Sequence, residues 1–168
     1  MGSGYTLKCS TCDYQLPVME GIGMFYSRNS VFYGRCDDPM QNRSGAFHCG
    51  WREEGGPLLQ DLVKCKEIKE KAFELLEGGA VPISFAHELY ICPECHNLSS
   101  LFHFSLNGKK GYFEPEYKCT CCNASLKRAE VEFLKDSVEI YVDRRKINWK
   151  CPVCRGEALL CVDFFLWD

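Results

Sequence analysis

Four Cys-x-x-Cys steps are spread along this 168-residue chain, and they constrain its fold more than any other feature. Such a step places two thiolates on one tight turn, which we call a knuckle, and two knuckles supply the four sulfurs of a tetrahedral metal site. The eight cysteines are Cys9, Cys12, Cys92, Cys95, Cys119, Cys122, Cys151 and Cys154. Four knuckles therefore predict two metal sites with four cysteine ligands each. The competing interpretation, a reactive dithiol or buried free cysteines, suits a single step better than it suits four.

Composition favours metal over disulfide bonds. The chain has 13 cysteines, an odd number, and most of them occur in Cys-x-x-Cys pairs, which is atypical of a secreted disulfide framework. It has no run of about 20 apolar residues of the kind that spans a membrane. Its first residues lack the basic-then-apolar pattern of a secretion signal. We therefore expect a cytoplasmic protein with no membrane partner.

The hydrophobic pattern predicts an α+β fold with small antiparallel β hairpins and one amphipathic helix. Between Pro57 and Glu77 apolar residues recur at steps of three and four, and two glycines follow as a stop. We expect a single compact unit over residues 1–168. Its sub-regions are an N-terminal knuckle and loop at 1–56, the helix at 57–79, a central hairpin with two knuckles at 88–130, and a C-terminal hairpin and knuckle at 137–168.

The sequence leaves open which knuckles share a metal. In one arrangement the second and third knuckles form one site, and the first and fourth form the other. The crossed alternative joins the first knuckle to the second and the third to the fourth. We favour the former because the 23 residues between Cys95 and Cys119 (96 to 118) make a short loop to close. Cys121 is then spare, since the two-residue step selects Cys119 and Cys122.

Two further features bear on the sites. The residue after the second cysteine of a knuckle commonly needs a positive φ, which Asp, Asn and His tolerate best after Gly. These residues are Asp13, His96, Asn123 and Arg155. Arg155 is thus the expected exception.

Cys36, His48 and Cys49 offer ligands for another site. Because they lack the knuckle spacing, we favour the interpretation that they are loop residues, with the cysteines packed.

Two of the knuckles carry a family resemblance. Cys92-Pro-Glu-Cys95 and Cys151-Pro-Val-Cys154 resemble the Cys-Pro-x-Cys knuckles of zinc ribbon and rubredoxin-like domains. The whole chain, from MGSGYTLKC to FLWD, resembles a family of uncharacterised bacterial proteins with paired zinc ribbons. The resemblance implies hairpins of zinc-ribbon type and a metal. Rubredoxin itself would imply iron and electron transfer, but the glycines expected after its knuckles are missing, so we expect two structural Zn²⁺ ions.

The expected function is binding of another macromolecule. Both predicted hairpin tips are basic and lie beside aromatic residues, with Lys109 and Lys110 on one and Arg144 and Arg145 on the other. Such tips can contact single-stranded nucleic acid. The formal charge is −3, however, and two four-thiolate zinc sites would lower it to about −7. An acidic total disfavours nucleic acid, so we expect a protein partner.

Two other functional classes compete with binding. A redox-sensitive zinc thiol switch or a chaperone-like role is the alternative, because zinc-bound thiolates can be oxidised with release of the metal. An enzyme is disfavoured, and no catalytic residues are predicted. The sequence contains no His-Glu-x-x-His motif, nucleophile elbow or phosphate loop, and a four-thiolate site has no open position for a substrate.

Overall fold

The computed structural model describes residues 2–23, 26–34 and 57–167. Cys36, His48 and Cys49, the candidate ligands for another site, lie outside these residues. The described part combines helices with antiparallel strands, as the predicted α+β class requires. None of its helices is long and apolar enough to cross a membrane.

The strands and helices have the following bounds. The strands are β1 Gly2–Cys9, β2 Gln15–Glu20, β3 Val81–Ile91, β4 Leu98–Gly108, β5 Gly111–Phe113, β6 Lys127–Phe133, β7 Val138–Val142, β8 Arg145–Ile147 and β9 Leu159–Trp167. The helices are α1 Arg28–Tyr33, α2 Leu59–Leu62 and α3 Lys66–Glu77. Helix α1 falls in the region expected to be loop. Its start is marked by Ser27, whose side chain accepts a hydrogen bond from the Ser30 backbone N–H, a common N-terminal cap.

The single helix predicted over 57–79 is interrupted, which corrects that expectation. After α2 the backbone of Val63 is extended, with φ −100° and ψ 112°, and Cys65 is extended as well. Val63 is fully buried, and a β-branched residue gains little from a helical backbone. The packing of Val63 in the core therefore determines its backbone conformation, although the hydrophobic pattern predicts a helix there. The predicted stop is present, with Gly79 at φ +84°.

The chain divides into two compact units. The first comprises Met1–Gly21, Ala86–Leu101 and Glu116–Trp167; the second comprises Ile22–Phe85 and Phe102–Pro115. All eight knuckle cysteines belong to the first unit. Each unit has its own hydrophobic core.

The first unit contains a three-stranded antiparallel sheet in the order β2-β1-β9. Strand β1 lies in the middle, with Tyr5 opposite Val18 of β2 and Phe164 of β9. In the same unit, strands β3, β6, β7 and β8 are hydrogen-bonded neighbours in that order. Its core includes Tyr5, Leu7, Val18, Leu89, Ile91, Ile140 and Trp149. The first knuckle begins at Cys9, the last residue of β1, and the second directly follows β3.

Two glycines allow β1 and β9 to approach closely. A Cβ added to Gly4 would lie 2.3 Å from the Phe165 ring, and one added to Gly2 would lie 2.3 Å from the Trp167 ring. The Trp167 indole N–H also donates a hydrogen bond to the Ser3 carbonyl over 2.9 Å. The Phe165 and Trp167 rings therefore lie directly against the β1 backbone. A residue larger than glycine at position 2 or 4 would displace them.

The second unit packs helices against the distal part of β4. Its core contains both aliphatic and aromatic residues. The ring of Phe32, from α1, meets those of Phe85 and Phe104 at centroid distances of 5.3 and 6.0 Å. Leu59 and Val63 are buried in the same cluster. Lys109 and Lys110 form the turn between β4 and β5, as predicted.

Candidate metal centres

The structure brings the eight knuckle cysteines into two groups of four. The terminal site consists of Cys9, Cys12, Cys151 and Cys154, and the central site consists of Cys92, Cys95, Cys119 and Cys122. Within each group the sulfur atoms all lie within 4.8 Å of one another. This is the arrangement that loop closure favoured, and the crossed alternative is not formed.

The sulfur–sulfur distances suit a tetrahedral ion. In the terminal site Cys9 lies 3.6 Å from Cys154, and Cys12 lies 3.6 Å from Cys151. The central site has distances of 3.4, 3.5 and 3.8 Å. Four sulfurs at about 2.3 Å from a central Zn²⁺ would be about 3.8 Å apart, whereas a disulfide bond measures about 2.05 Å. The groups therefore have the spacing of metal ligands.

Each knuckle is the turn of a β-hairpin or strand connection, closed by backbone hydrogen bonds. In three knuckles the N–H of the first cysteine donates to the carbonyl five residues later, and the N–H four residues later donates back to that cysteine. The pairs are Cys92 with Asn97 and His96, Cys119 with Ala124 and Asn123, and Cys151 with Gly156 and Arg155. In the first knuckle Cys9 donates to the Tyr14 carbonyl over 2.9 Å. The repeated pattern fixes the direction of both sulfurs.

A favourable residue for positive φ was expected after three of the four knuckles, with Arg155 as the exception. The structure has a positive φ after three knuckles, but they are not the same three. His96, Asn123 and Arg155 have φ of 61°, 62° and 64°, and Asp13 is not among the positive-φ residues. The expectation that Arg155 would be the exception was wrong. Closing hydrogen bonds in the fourth knuckle hold Arg155 in this conformation despite its unfavourable propensity.

Backbone N–H groups also point at the sulfurs. The Thr11 N–H lies 3.4 Å from Cys9 Sγ, and the Cys121 N–H lies 3.4 Å from Cys119 Sγ. The Thr11 N–H lowers the pKa of Cys9 to about 6. Burial opposes ionisation of Cys119, but the N–H groups of Cys121 and Cys122 lower its pKa to about 6. These donors favour the thiolate, which is the form that binds metal.

The two cysteines of a knuckle differ in burial. Cys9, Cys92, Cys119 and Cys151, the first of each step, are buried. Of the second cysteines, Cys12 and Cys95 are half-buried, whereas Cys122 and Cys154 are exposed. Each site is therefore anchored in the core on one side and reaches solvent on the other. Cys121 is exposed and belongs to neither group.

His96 links the two sites, a role that was not predicted from the sequence. His96 directly follows the second knuckle, and its carbonyl accepts a hydrogen bond from the Trp149 indole N–H over 3.1 Å. Its Nδ1 accepts a second bond, from the Lys150 backbone N–H, over 3.0 Å. Lys150 directly precedes Cys151 of the terminal site. A tryptophan two residues before a knuckle was the available signal, but its partner is distant in sequence.

The basic residues proposed as contacts lie at the hairpin tips, but in different units. Lys109 and Lys110 belong to the second unit, where Lys110 Nζ lies 3.0 Å from Glu74 Oε1. Arg144 and Arg145 belong to the first, in the turn after β7 and at the start of β8. They do not form one basic surface within either unit.

Each group supplies four cysteine sulfurs and can hold one metal ion. Such a set fills a tetrahedral coordination shell and leaves no position for a reacting water or substrate. Comparison of the chain with protein-family models, curated proteins and solved structures found no match. Function is therefore inferred from the residues of the two sites.

Proposed function

We propose that this chain is a zinc protein with two structural four-cysteine sites of zinc-ribbon type, and that it acts as a macromolecular interaction module. One observation carries the zinc assignment: eight cysteines from four knuckles converge into two sets with near-tetrahedral sulfur spacing. The resemblance to paired zinc-ribbon proteins is part of the same proposal. Sites of four thiolates need a reducing compartment, so the proposed location is the cytoplasm.

Zinc is favoured over iron on the chemistry of the sites. A closed four-thiolate set binds either metal, and iron would imply electron transfer. The rubredoxin-like pattern has glycine after the knuckles, whereas this chain has Asp13, His96, Asn123 and Arg155 there. The ion's contribution would then be to folding, since metal binding and folding are coupled in such sites.

Metal analysis tests the zinc assignment. Purified full-length chain should contain two zinc ions, measured by plasma mass spectrometry and by native mass spectrometry. Cys151→Ser should lose the terminal ion, and the matched control Cys121→Ser should retain both. Iron in place of zinc, or one ion in the wild-type chain, would contradict the assignment. Titrating zinc released from the wild-type chain by a chromogenic chelator gives the same count without relying on a variant that folds.

A protein partner is proposed over nucleic acid because the formal net charge is −3 and several cations lie in local ion pairs. Examples are Lys110 with Glu74, Arg128 with Glu88, Lys146 with Glu139, and Lys150 with Glu157. Exposed pairs of this kind add little stability, but they reduce the positive potential that phosphates require.

Affinity co-purification with and without nuclease tests the partner class. A stoichiometric protein that survives nuclease treatment supports the proposal. Material that is lost on nuclease treatment, and is also lost in an Arg144→Glu, Arg145→Glu variant, would replace the protein partner by nucleic acid. The two zinc ions should be present in both chains, so the metal assignment is judged separately.

A further inference from the structure

The two four-cysteine sites are connected by the residues that adjoin their knuckles. His96 directly follows Cys95 of the central site, and it accepts two hydrogen bonds from the residues that precede Cys151 of the terminal site. The Trp149 indole N–H donates to the His96 carbonyl over 3.1 Å, and the Lys150 backbone N–H donates to His96 Nδ1 over 3.0 Å. We call these two hydrogen bonds the His96 bridge. All of its atoms belong to the first unit.

The bridge depends on how the knuckles are arranged. The His96 N–H donates to the Cys92 carbonyl over 3.0 Å, so His96 is part of the turn of the second knuckle. On the other side, Trp149 is buried and packs in the same core as Cys151. A buried donor that loses its acceptor cannot bond to water instead, which makes the loss costly. The arrangement of the second knuckle therefore affects that of the fourth.

The first knuckle contacts the same region through Tyr14. Tyr14 lies two residues after Cys12, and its ring lies 6.1 Å from the Trp149 ring, centroid to centroid. The Tyr14 hydroxyl also accepts a hydrogen bond from the Leu98 backbone N–H over 3.4 Å. Leu98 lies three residues after Cys95 of the central site. Residues next to both knuckles of the terminal site therefore contact residues next to the second knuckle.

We propose that the two metal sites bind their ions with positive cooperativity, and that the His96 bridge carries most of the coupling between them. With the central site filled, Cys95 is held in place, and His96 with it. Less conformational freedom then remains to be lost when the knuckle at Cys151 closes. By linkage, filling the terminal site favours the central site by the same factor. This inference rests on the proposed metal sites and adds the relation between them.

The strength of the two hydrogen bonds sets the size of the expected effect. Two bonds of ordinary strength change an equilibrium constant roughly 5- to 150-fold, which is also the usual range of coupling between two sites. Lys150 is exposed, so water competes for its N–H, and the buried Trp149 bond should contribute the larger share. We therefore expect a coupling of about 10-fold.

Native mass spectrometry of the full chain, equilibrated in a zinc buffer, tests the coupling. It gives the populations with no ion, one ion and two ions. We define the coupling ratio as the product of the no-ion and two-ion populations divided by the square of the one-ion population. For independent sites this ratio is at most about one quarter. It should exceed that value in the wild-type chain and fall about 10-fold in the double variant Trp149→Phe, His96→Gly.

Two matched variants separate the bridge from general stability. His96→Asn keeps a side-chain acceptor on a residue type that tolerates the φ of 61°, and it should keep the wild-type ratio. Tyr5→Phe removes the 2.6 Å hydrogen bond from the Tyr5 hydroxyl to Glu20 in the same unit. That bond joins β1 to β2 rather than one site to the other, so this variant should also keep the ratio.

An unchanged ratio in the double variant would overturn the proposal, because joint loading would then come from folding of the unit as a whole. A Tyr5→Phe chain whose ratio falls equally would overturn it for the same reason. If the double variant does not fold, His96→Gly alone replaces it, since glycine suits a positive φ. Its ratio should fall about threefold, and an unchanged value would again refute the coupling. A wild-type chain that never binds two ions would instead contradict the metal assignment and, with it, this inference.

Discussion

Arg155 offers a direct measure of how strongly a knuckle constrains the backbone. Its φ of 64° lies in the left-handed region, where an L-residue costs roughly 1–2 kcal/mol. The side chain is exposed and has no hydrogen-bond or ion-pair partner within the described ranges. Glycine removes the Cβ clash, which stabilises the folded chain. Its greater conformational freedom in the unfolded chain offsets roughly 0.5–1 kcal/mol of that gain. Arg155→Gly should therefore raise the free energy of unfolding by about 0.5–1 kcal/mol.

His96→Gly is the matched comparison, because His96 has nearly the same φ of 61°. This change removes the same clash but also deletes the Nδ1 acceptor for the Lys150 N–H. A lost hydrogen bond of this kind costs roughly 0.5–1.5 kcal/mol, so the two effects should nearly cancel. The difference between the two variants isolates the contribution of the His96 side chain.

The assay is urea unfolding followed by tryptophan fluorescence. Free Zn²⁺ must be held constant by a metal buffer, because a ligand that binds only the folded chain adds to its stability. Midpoints and slopes are compared, since a change in slope would signal an altered unfolded state. The reasoning is refuted if Arg155→Gly is less stable than the wild-type chain, or if His96→Gly gains as much as Arg155→Gly.

Two further changes test packing in the first unit. Gly4→Ala should lower stability by about 1–3 kcal/mol, because its Cβ would lie 2.3 Å from the Phe165 ring; adding Phe165→Leu should restore part of the loss in thermal unfolding. Trp149→Phe should cost about 1–3 kcal/mol in urea unfolding, because the partly buried His96 carbonyl loses its indole donor. An unchanged midpoint for Trp149→Phe would mean that this bond does not connect the two sites.

Much of the metal-site arrangement could be predicted from local spacing. The two-residue step identified all eight clustered cysteines, and loop closure favoured the grouping that the structure forms. The turn at Lys109–Lys110 was also expected from local pattern. Each of these features except the terminal site depends on residues close in sequence, where spacing and turn chemistry are informative. The grouping of the terminal site followed from the cysteines left over once the two central knuckles were paired.

The features that were missed depend on distant residues. The helical hydrophobic pattern continues through Val63. The break between α2 and α3 is explained by the packing of Val63 in the core. Arg155 was judged on intrinsic preference, which the closing hydrogen bonds of its knuckle outweigh. The role of His96 depends on Trp149 and Lys150, more than 50 residues away. Periodicity carries no information about such contacts.

The pairing of the first knuckle with the fourth has a consequence for synthesis on the ribosome. Cys12 of the first knuckle meets Cys151, a separation of 139 residues, whereas the cysteines of the central site are 24 to 30 residues apart. At a translation rate of about 5–20 residues per second, the first knuckle waits roughly 7–30 s for its partner, and the central site waits only seconds. The central site is therefore complete in the nascent chain first. Until Cys154 emerges, Cys9 and Cys12 are exposed thiols without the ligands that complete their site.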